Sequence, residues 1–374
     1  MKLDVIIIGA GPVGLLLAVL LGQRGLHVLI LEQRTELPQQ SQAIGITPPS
    51  LDILATLGLA ENFVQCGVCI RDCYVHGHTG RLGQVSFSKI EGAHPFILSL
   101  PQLQTMRLLK EALIQQPTVK LMHGVECIAL TSQADGVTVQ TPEAEFHAAF
   151  VVACDGCHSH AREQLGIRTK RRDYGCHFVM GDFIDRTAMR DAAHLFFTAA
   201  GAVESFPLPE GKRRWIVQTD DVADLVPQVR QRTGILLNAA DQLNASAFSP
   251  WRLDCERLHQ GRVLLCGDAA HVMSPIGGQG MNTGFADAEF AAAMLHAILR
   301  HGENVDSWLQ SYEHRRQTAA RTAANRAEWG MGLGIWRGVA RSLLRDFIIR
   351  GILLSDHVPP WFAMQNLPFN RYQP

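Results

Sequence analysis

Charge of one sign is what this sequence lacks. It sets 34 Lys and Arg against 35 Asp and Glu across 374 residues, a formal net charge of −1. So even a balance offers no basic field for nucleic acid, and no acidic tail is present; no nucleic-acid partner is expected. Internal repeats, low-complexity tracts and linkers are also missing, and the length suggests two domains or one large one. No charged stretch precedes an apolar one at the start, so no secretory signal is read. One uncharged run, residues 5–22, approaches the length of a membrane span. Gly9, Gly11, Gly14 and Pro12 interrupt it, and strand–turn–helix is the better reading.

Cysteines number nine, an odd count, and with no secretory signal they fit reduced thiols and a cytoplasmic location. Cys66, Cys69 and Cys73 have metal-like spacing, but no fourth Cys or His follows and Asp72 is a poor substitute, so no metal is expected. Cys154-Asp155-Gly156-Cys157-His158 matches the c-type haem attachment pattern, which would require export. A dinucleotide-site reading, developed below, accounts for it better.

Hydrophobic residues make up 47% and charged residues 18%, as in ordinary globular proteins. The N-terminus reads β-α-β: strand 4–8, helix 12–24, strand 28–31. Helices are expected at 50–57 and 103–114, and strands at 119–122, 125–131, 137–140 and 146–153. Residues from about 174 to 258 change to β alternation (178–185, 195–197, 215–219) with a helical piece at 222–232. A buried strand at 263–266 and a long helix at 281–299 follow.

Gly9-Ala10-Gly11-Pro12-Val13-Gly14 follows the first strand and opens the first helix. Gly9 permits a tight turn, Gly11 admits a pyrophosphate close to the backbone, and Gly14 lets helix and sheet approach. The helix N-terminus offers amides and positive dipole to phosphate. Glu32 ends the second strand, where a carboxylate can accept from a ribose diol. Two later strands also end in acid–glycine turns: residues 151–162 contain Asp155-Gly156, with Ser159 and Arg162 beyond, and residues 264–271 contain Gly267-Asp268. Pro275-Ile276-Gly277-Gly278-Gln279-Gly280-Met281-Asn282 then opens the long helix.

Together these stretches resemble the FAD-dependent monooxygenases of the para-hydroxybenzoate hydroxylase type, over roughly residues 1–330. The resemblance implies an α/β fold: a Rossmann-like FAD-binding domain, an inserted α+β substrate domain and a C-terminal helical segment. The expected division is 1–72, 98–172 and 259–330 for FAD, 73–97 and 173–258 for substrate, and 331–374 for the C-terminal helices. It implies FAD as cofactor, NAD(P)H as transient reductant, O2 as co-substrate, and hydroxylation of a small aromatic, phenolic, quinol or heteroaromatic compound through a flavin C4a-hydroperoxide. Alternatives are a flavin reductase or halogenase of the same superfamily, or a non-catalytic flavin-binding accessory subunit. Monomer and homodimer both remain open.

The resemblance carries roles to matching positions. Asp268 would bind a ribityl or ribose hydroxyl; Asp155 and Arg162 would shape their turn; Pro275 would lie beside the flavin ring; Gly280, Met281 and Asn282 would meet its pyrimidine edge. Gln102 would touch the flavin from a helix start. Gly9, Gly11, Pro12, Val13, Gly14, Glu32, Gln33, Gln42, Arg107, Val125, Gly267 and Gly278 complete the expected cofactor contacts. Gln42 stands where the family usually has Arg, and Met106 where an acid is common. No residue stands out as catalytic base; His194, Tyr174 and His177 are the candidates for orienting a phenol, each with a structural alternative. His271 is expected to pack. Gly330, Gly332 and Gly334 lack a preceding strand, so no second dinucleotide unit is read. Residues 335–362 mix apolar side chains with Arg337, Arg341, Arg345 and Arg350. That pattern suits either a helix packed on the protein or a peripheral membrane contact.

Overall fold

The computed structural model describes residues 3–36, 43–275 and 278–353. Strand Leu3–Ile8 lies inside an eight-stranded sheet, parallel to Val28–Glu32 on one side and Glu145–Ala153 on the other. Val119–His123 and Val263–Leu265 extend the parallel set outward in the two directions. Strands covered on both faces are apolar runs without alternation, as Val28–Glu32 and Val263–Leu265 show. Helix Pro12–Gln23 joins the first two strands and is buried from Gly14 through Gly22. Its surroundings explain this: the sheet covers one side, and helices Gln102–Ile114 and Gln279–His301 cover others.

A second sheet has seven strands, in the order Gln242–Phe248, Phe178–Ile184, Lys212–Gln218, Gly201–Leu208, Ala193–Thr198, Asp72–Gly77, Gly80–Ser86. The hairpin formed by the last two comes from far upstream yet completes this sheet, pairing in parallel with Ala193–Thr198. One face packs Val179, Phe183, Val203, Trp215 and Val217 against helix Leu225–Thr233. The alternate residues face the other way, toward the first sheet.

One strand expectation needs correction, and strands outside the expected set appear as well. The stretch 125–131 is a strand only over Ala129–Ser132; Val125 instead donates its amide to the Glu32 carbonyl at 3.0 Å. Gly201–Leu208 was not anticipated, because both of its faces are buried and no polar alternation marks it. Edge strand Gln242–Phe248 went unread for the opposite reason: it is mostly small, polar and half-exposed.

Helices Val305–Ile335 and Val339–Leu353 end the described chain. Gly330, Gly332 and Gly334 fall in the closing turns of the former. The latter lies against Gly80–Ser86. There Asp346 Oδ2 accepts from the His78 amide at 2.7 Å, and the buried Arg345 guanidinium donates to the carbonyls of Phe197, Thr198 and Trp336. Among the described residues, no helix is long and apolar enough to cross a membrane.

Candidate functional site

Four backbone corners meet at one cavity of about 750 Å³. The first is the glycine turn. Gly9 has φ +99°, and a Cβ there would stand 2.5 Å from the Cys154 carbonyl oxygen; a Cβ on Gly14 would stand 2.1 Å from the Gly9 oxygen. At Gly11 nothing lies within 4 Å of that position, so the turn is closed beneath and open above. No side chain caps the helix that starts at Pro12, which leaves its first amides for an acceptor in the cavity. Glu32 Oε2 accepts from the Ala10 amide at 2.7 Å and Oε1 from the Arg34 amide at 2.9 Å. A carboxylate has further lone pairs for a diol.

The second corner is Asp155. Its Oδ2 accepts from the Ala161 amide at 3.1 Å, while buried Oδ1 has no partner. Arg162 sits behind it, buried, donating at 3.0 Å to both the Ala269 and Cys157 carbonyls. It thereby staples this turn to the third corner, Gly267-Asp268. Asp268 opens onto the cavity but is walled in by protein, and that burial raises its pKa.

Beneath the third corner lies a charge cluster. Asp287 Oδ2 accepts from the Gly267 amide at 3.0 Å and from His271 Nε2 at 2.7 Å, and Oδ1 accepts from Arg316 Nε at 2.6 Å. Burial pushes the Asp287 carboxyl up, but His271 and Arg316 together hold it down at about 2.

The fourth corner is the start of helix Gln279–His301. Gly278 (φ +65°) stands before it with no side-chain cap, and Pro275, Gly278, Gly280 and Met281 line the cavity. Gln33, Gln102, Val125 and Val13 line it too.

Several expected contacts lie elsewhere. Asn282 does not line the cavity: its side chain accepts from the Thr47 amide at 2.9 Å and donates to the Gly45 and Gly278 carbonyls. It therefore clamps strand Gly45–Ile46 to the helix start. Arg107 is exposed and off the cavity, because five helical residues turn it about 140° away from Gln102. Gly14 and Gly267 serve close packing rather than the cavity wall. Gln42, Ile276 and Gly277 lie outside the described residues.

The catalytic candidates also lie off the cavity. His194 points to the opposite face of its strand from its neighbours Ala193 and Leu195, which do line it. Its Nδ1 meets His76 Nε2 at 3.1 Å, and burial, with His76 beside it, lowers its pKa to about 4. The Tyr174 hydroxyl donates to Glu328 at 2.8 Å, and burial raises its pKa. His177 is exposed and meets Ser249.

Toward the second sheet the cavity becomes an apolar chamber. Phe178, Met180, Leu195, Phe197, Phe206 and Ile216 line it, and Leu333, Ile349, Ile352 and Leu353 close it from the C-terminal helices. Two side chains on its wall were missed in the sequence. Arg214 forms a two-pronged pair with Asp182, at 2.7 and 2.9 Å. Glu204 stands on strand Gly201–Leu208 between Ala202 and Phe206 on the chamber face. The available signal was an acid flanked at i ± 2 by apolar residues.

The sequence profile of the family described as FAD binding domain matches residues 2–327. Rifampicin monooxygenase of Streptomyces venezuelae is 31% identical over 337 residues, 85% of this chain and 68% of that protein. The solved structure of OxyS anhydrotetracycline hydroxylase from Streptomyces rimosus superposes with TM-score 0.82 at 28% identity, covering 100% of this chain and 77% of that one. That of p-nitrophenol 4-monooxygenase from Pseudomonas putida superposes with TM-score 0.89 at 21% identity, covering 100% and 99%, which speaks to the fold.

Proposed function

Because the chain belongs to the FAD binding domain family, we propose that this FAD-dependent oxidoreductase is a monooxygenase that hydroxylates a small aromatic, phenolic, quinol-type or heteroaromatic ring. One observation carries the reading: a single cavity runs without a break from the glycine turn to the apolar face of the seven-stranded sheet. FAD, when bound, would supply the redox chemistry by which NAD(P)H reduces O2, one oxygen atom entering the substrate and the other leaving as water.

The chain's own residues bind, orient and exclude water. Gly11, Val13 and the helix amides would hold the pyrophosphate, and Glu32 a ribose diol. Asp155, with its unpartnered Oδ1, and Asp268 would take further hydroxyls of the cofactor. Gly278, Gly280 and Met281 would present the uncapped N-terminus of their helix to the ring system, and such a dipole favours negative charge near it by about 0.3–2 kcal/mol. The apolar chamber keeps water from the reacting atoms. Residues 1–72, 98–172 and 259–330 then form the cofactor unit, and 73–97 with 173–258 the substrate unit.

Helix Val339–Leu353 acts in this scheme as a chamber wall, supported by Ile349, Ile352 and Leu353 on the cavity. Its outer face still exposes Val339, Leu343, Leu344 and Phe347. Liposome co-sedimentation at low salt should therefore show no binding; binding that is lost on deleting 335–374 would reverse the assignment to a membrane contact.

The visible spectrum of the purified protein, followed by NAD(P)H oxidation against phenols, quinols and heteroaromatics, tests the main reading. Flavin absorption, ring-stimulated oxidation and a product heavier by one oxygen atom are expected. Colourless protein that refuses FAD sinks the cofactor assignment. Flavin-loaded protein that oxygenates none of the rings sinks the monooxygenase.

A further inference from the structure

Glu204 is out of keeping with its surroundings. It is 8% exposed, on a wall built mostly from aliphatic and aromatic side chains. Cross-strand, it faces Leu195 and Ile216. Among the described residues, no hydrogen-bond donor or cation contacts its carboxylate. The other carboxylates of the second sheet are satisfied, Asp182 by Arg214 and Asn244 and Asp72 by Gln84, as is Asp185 just beyond it, by Arg213 and Thr187. A lone acid in such a place costs folding free energy unless a partner satisfies it.

We propose that Glu204 is the substrate-orienting group of the chamber, its carboxylate accepting a hydrogen bond from a ring hydroxyl or amino group. This deepens, and rests on, the ring-hydroxylation reading above. The chamber then selects a ring bearing a donor, since an analogue without one leaves the acid desolvated and unpaired. The apolar residues around Glu204 grip the ring faces. The single acceptor fixes which edge of the ring turns toward the cofactor corners, and therefore which carbon is presented.

The group's ionisation agrees with the geometry. Burial pushes the Glu204 carboxyl up to about 7. The other ionisable groups on this half of the wall are Cys73, Arg214 and Arg326. Cys73 is a neutral thiol, pushed up to about 12 by burial and by Glu204 itself. Arg214 is committed to Asp182, and burial lowers the pKa of Arg326. Strands Ala193–Thr198 and Ile97–Ser99 and helix Val339–Leu353 present no ionisable group to the cavity. Glu204 is therefore the acceptor that appears as pH rises through neutrality, and donor-bearing rings should bind better above that pH than below it.

The test uses FAD-loaded enzyme and perturbation of the flavin spectrum by 2-naphthol and by 2-methoxynaphthalene, which differ in the donor. Wild type should bind the naphthol about tenfold or more tightly than the ether, with a preference that grows between about pH 6 and pH 8. In Glu204→Leu the preference and its pH dependence should vanish, with the ether bound at least as well as before. Glu204→Gln should keep part of the preference without the pH dependence, because an amide oxygen still accepts. Equal binding of both probes by wild type, or a preference that survives in Glu204→Leu, overturns the assignment while leaving ring hydroxylation standing. If wild type binds neither probe, the Glu204 role falls, while ring hydroxylation stands or falls on the oxygenation assay above. Flavin absorbance of each variant reports that it has folded around its cofactor.

Discussion

Gly14 and Glu204 are opposite kinds of constraint. At Gly14 the absence of a side chain is the functional feature, since any Cβ would meet the Gly9 oxygen at 2.1 Å. Gly14→Ala should force the helix off the turn, lowering stability by about 1–3 kcal/mol and weakening FAD retention; thermal melts and the flavin-to-protein absorbance ratio would report both. At Glu204 the presence of a charge is the feature. Below about 4.5 the group is protonated whether the chain is folded or not. Between that value and about 7 the unfolded chain releases the proton while the folded chain keeps it, so stability falls as pH rises. At about 1.4 kcal/mol per pH unit this amounts to roughly 3–4 kcal/mol. Glu204→Leu should therefore be more stable than wild type by a margin that widens from about pH 4.5 to about pH 7 and then levels off in urea titrations. A margin that stays constant with pH would mean the acid is not buried as described.

Between elements, a few buried polar side chains decide how turns and helices sit. Asp287 on helix Gln279–His301 holds Gly267, His271 and Arg316 at once. Asp287→Asn would leave the buried Arg316 guanidinium without its counter-charge and weaken the contacts with Gly267 and His271, costing about 3–5 kcal/mol, and would loosen the Gly267-Asp268 corner. Its depressed pKa carries the usual carboxylate sign. The stabilisation is present above the ordinary value of 3.8 and is lost as pH falls toward about 2, so wild type and variant should converge in stability only in strong acid. Arg345 does comparable work for helix Val339–Leu353, tying it to the carbonyls of residues 197 and 198. Arg345→Ala should free that helix, visible as faster proteolysis after residue 336. It should also open the chamber, so that NAD(P)H oxidation runs ahead of hydroxylated product.

In the whole molecule the two sheets share one cavity, so the cofactor is expected to act as a structural keystone. A ligand at a hundred times its Kd stabilises the folded state by about 2.7 kcal/mol. Saturating FAD should raise Tm by several degrees over the stripped protein, and Gly14→Ala should blunt that rise; an unchanged Tm would disconnect cofactor from fold.

The sequence by itself determined the cofactor corners, because each is local. Strand, glycine turn, helix start and acid lie within a few residues of one another, and the steric demands of a tight turn leave a readable trace at Gly9, Gly14 and Gly267. It also carried the parallel core, through unbroken apolar runs. Only the tertiary structure decided which side chains face the chamber. Strand faces alternate every residue, so the one-residue offsets that turn His194 away and bring Ala193 and Leu195 inward depend on pairing with a hairpin more than a hundred residues upstream. The same holds for Glu204, whose strand is buried on both faces and gives no periodic signal. It also holds for Asn282 and Asp287, whose partners lie 235 and 29 residues away. Contacts at such separations are set by packing, which no local pattern encodes.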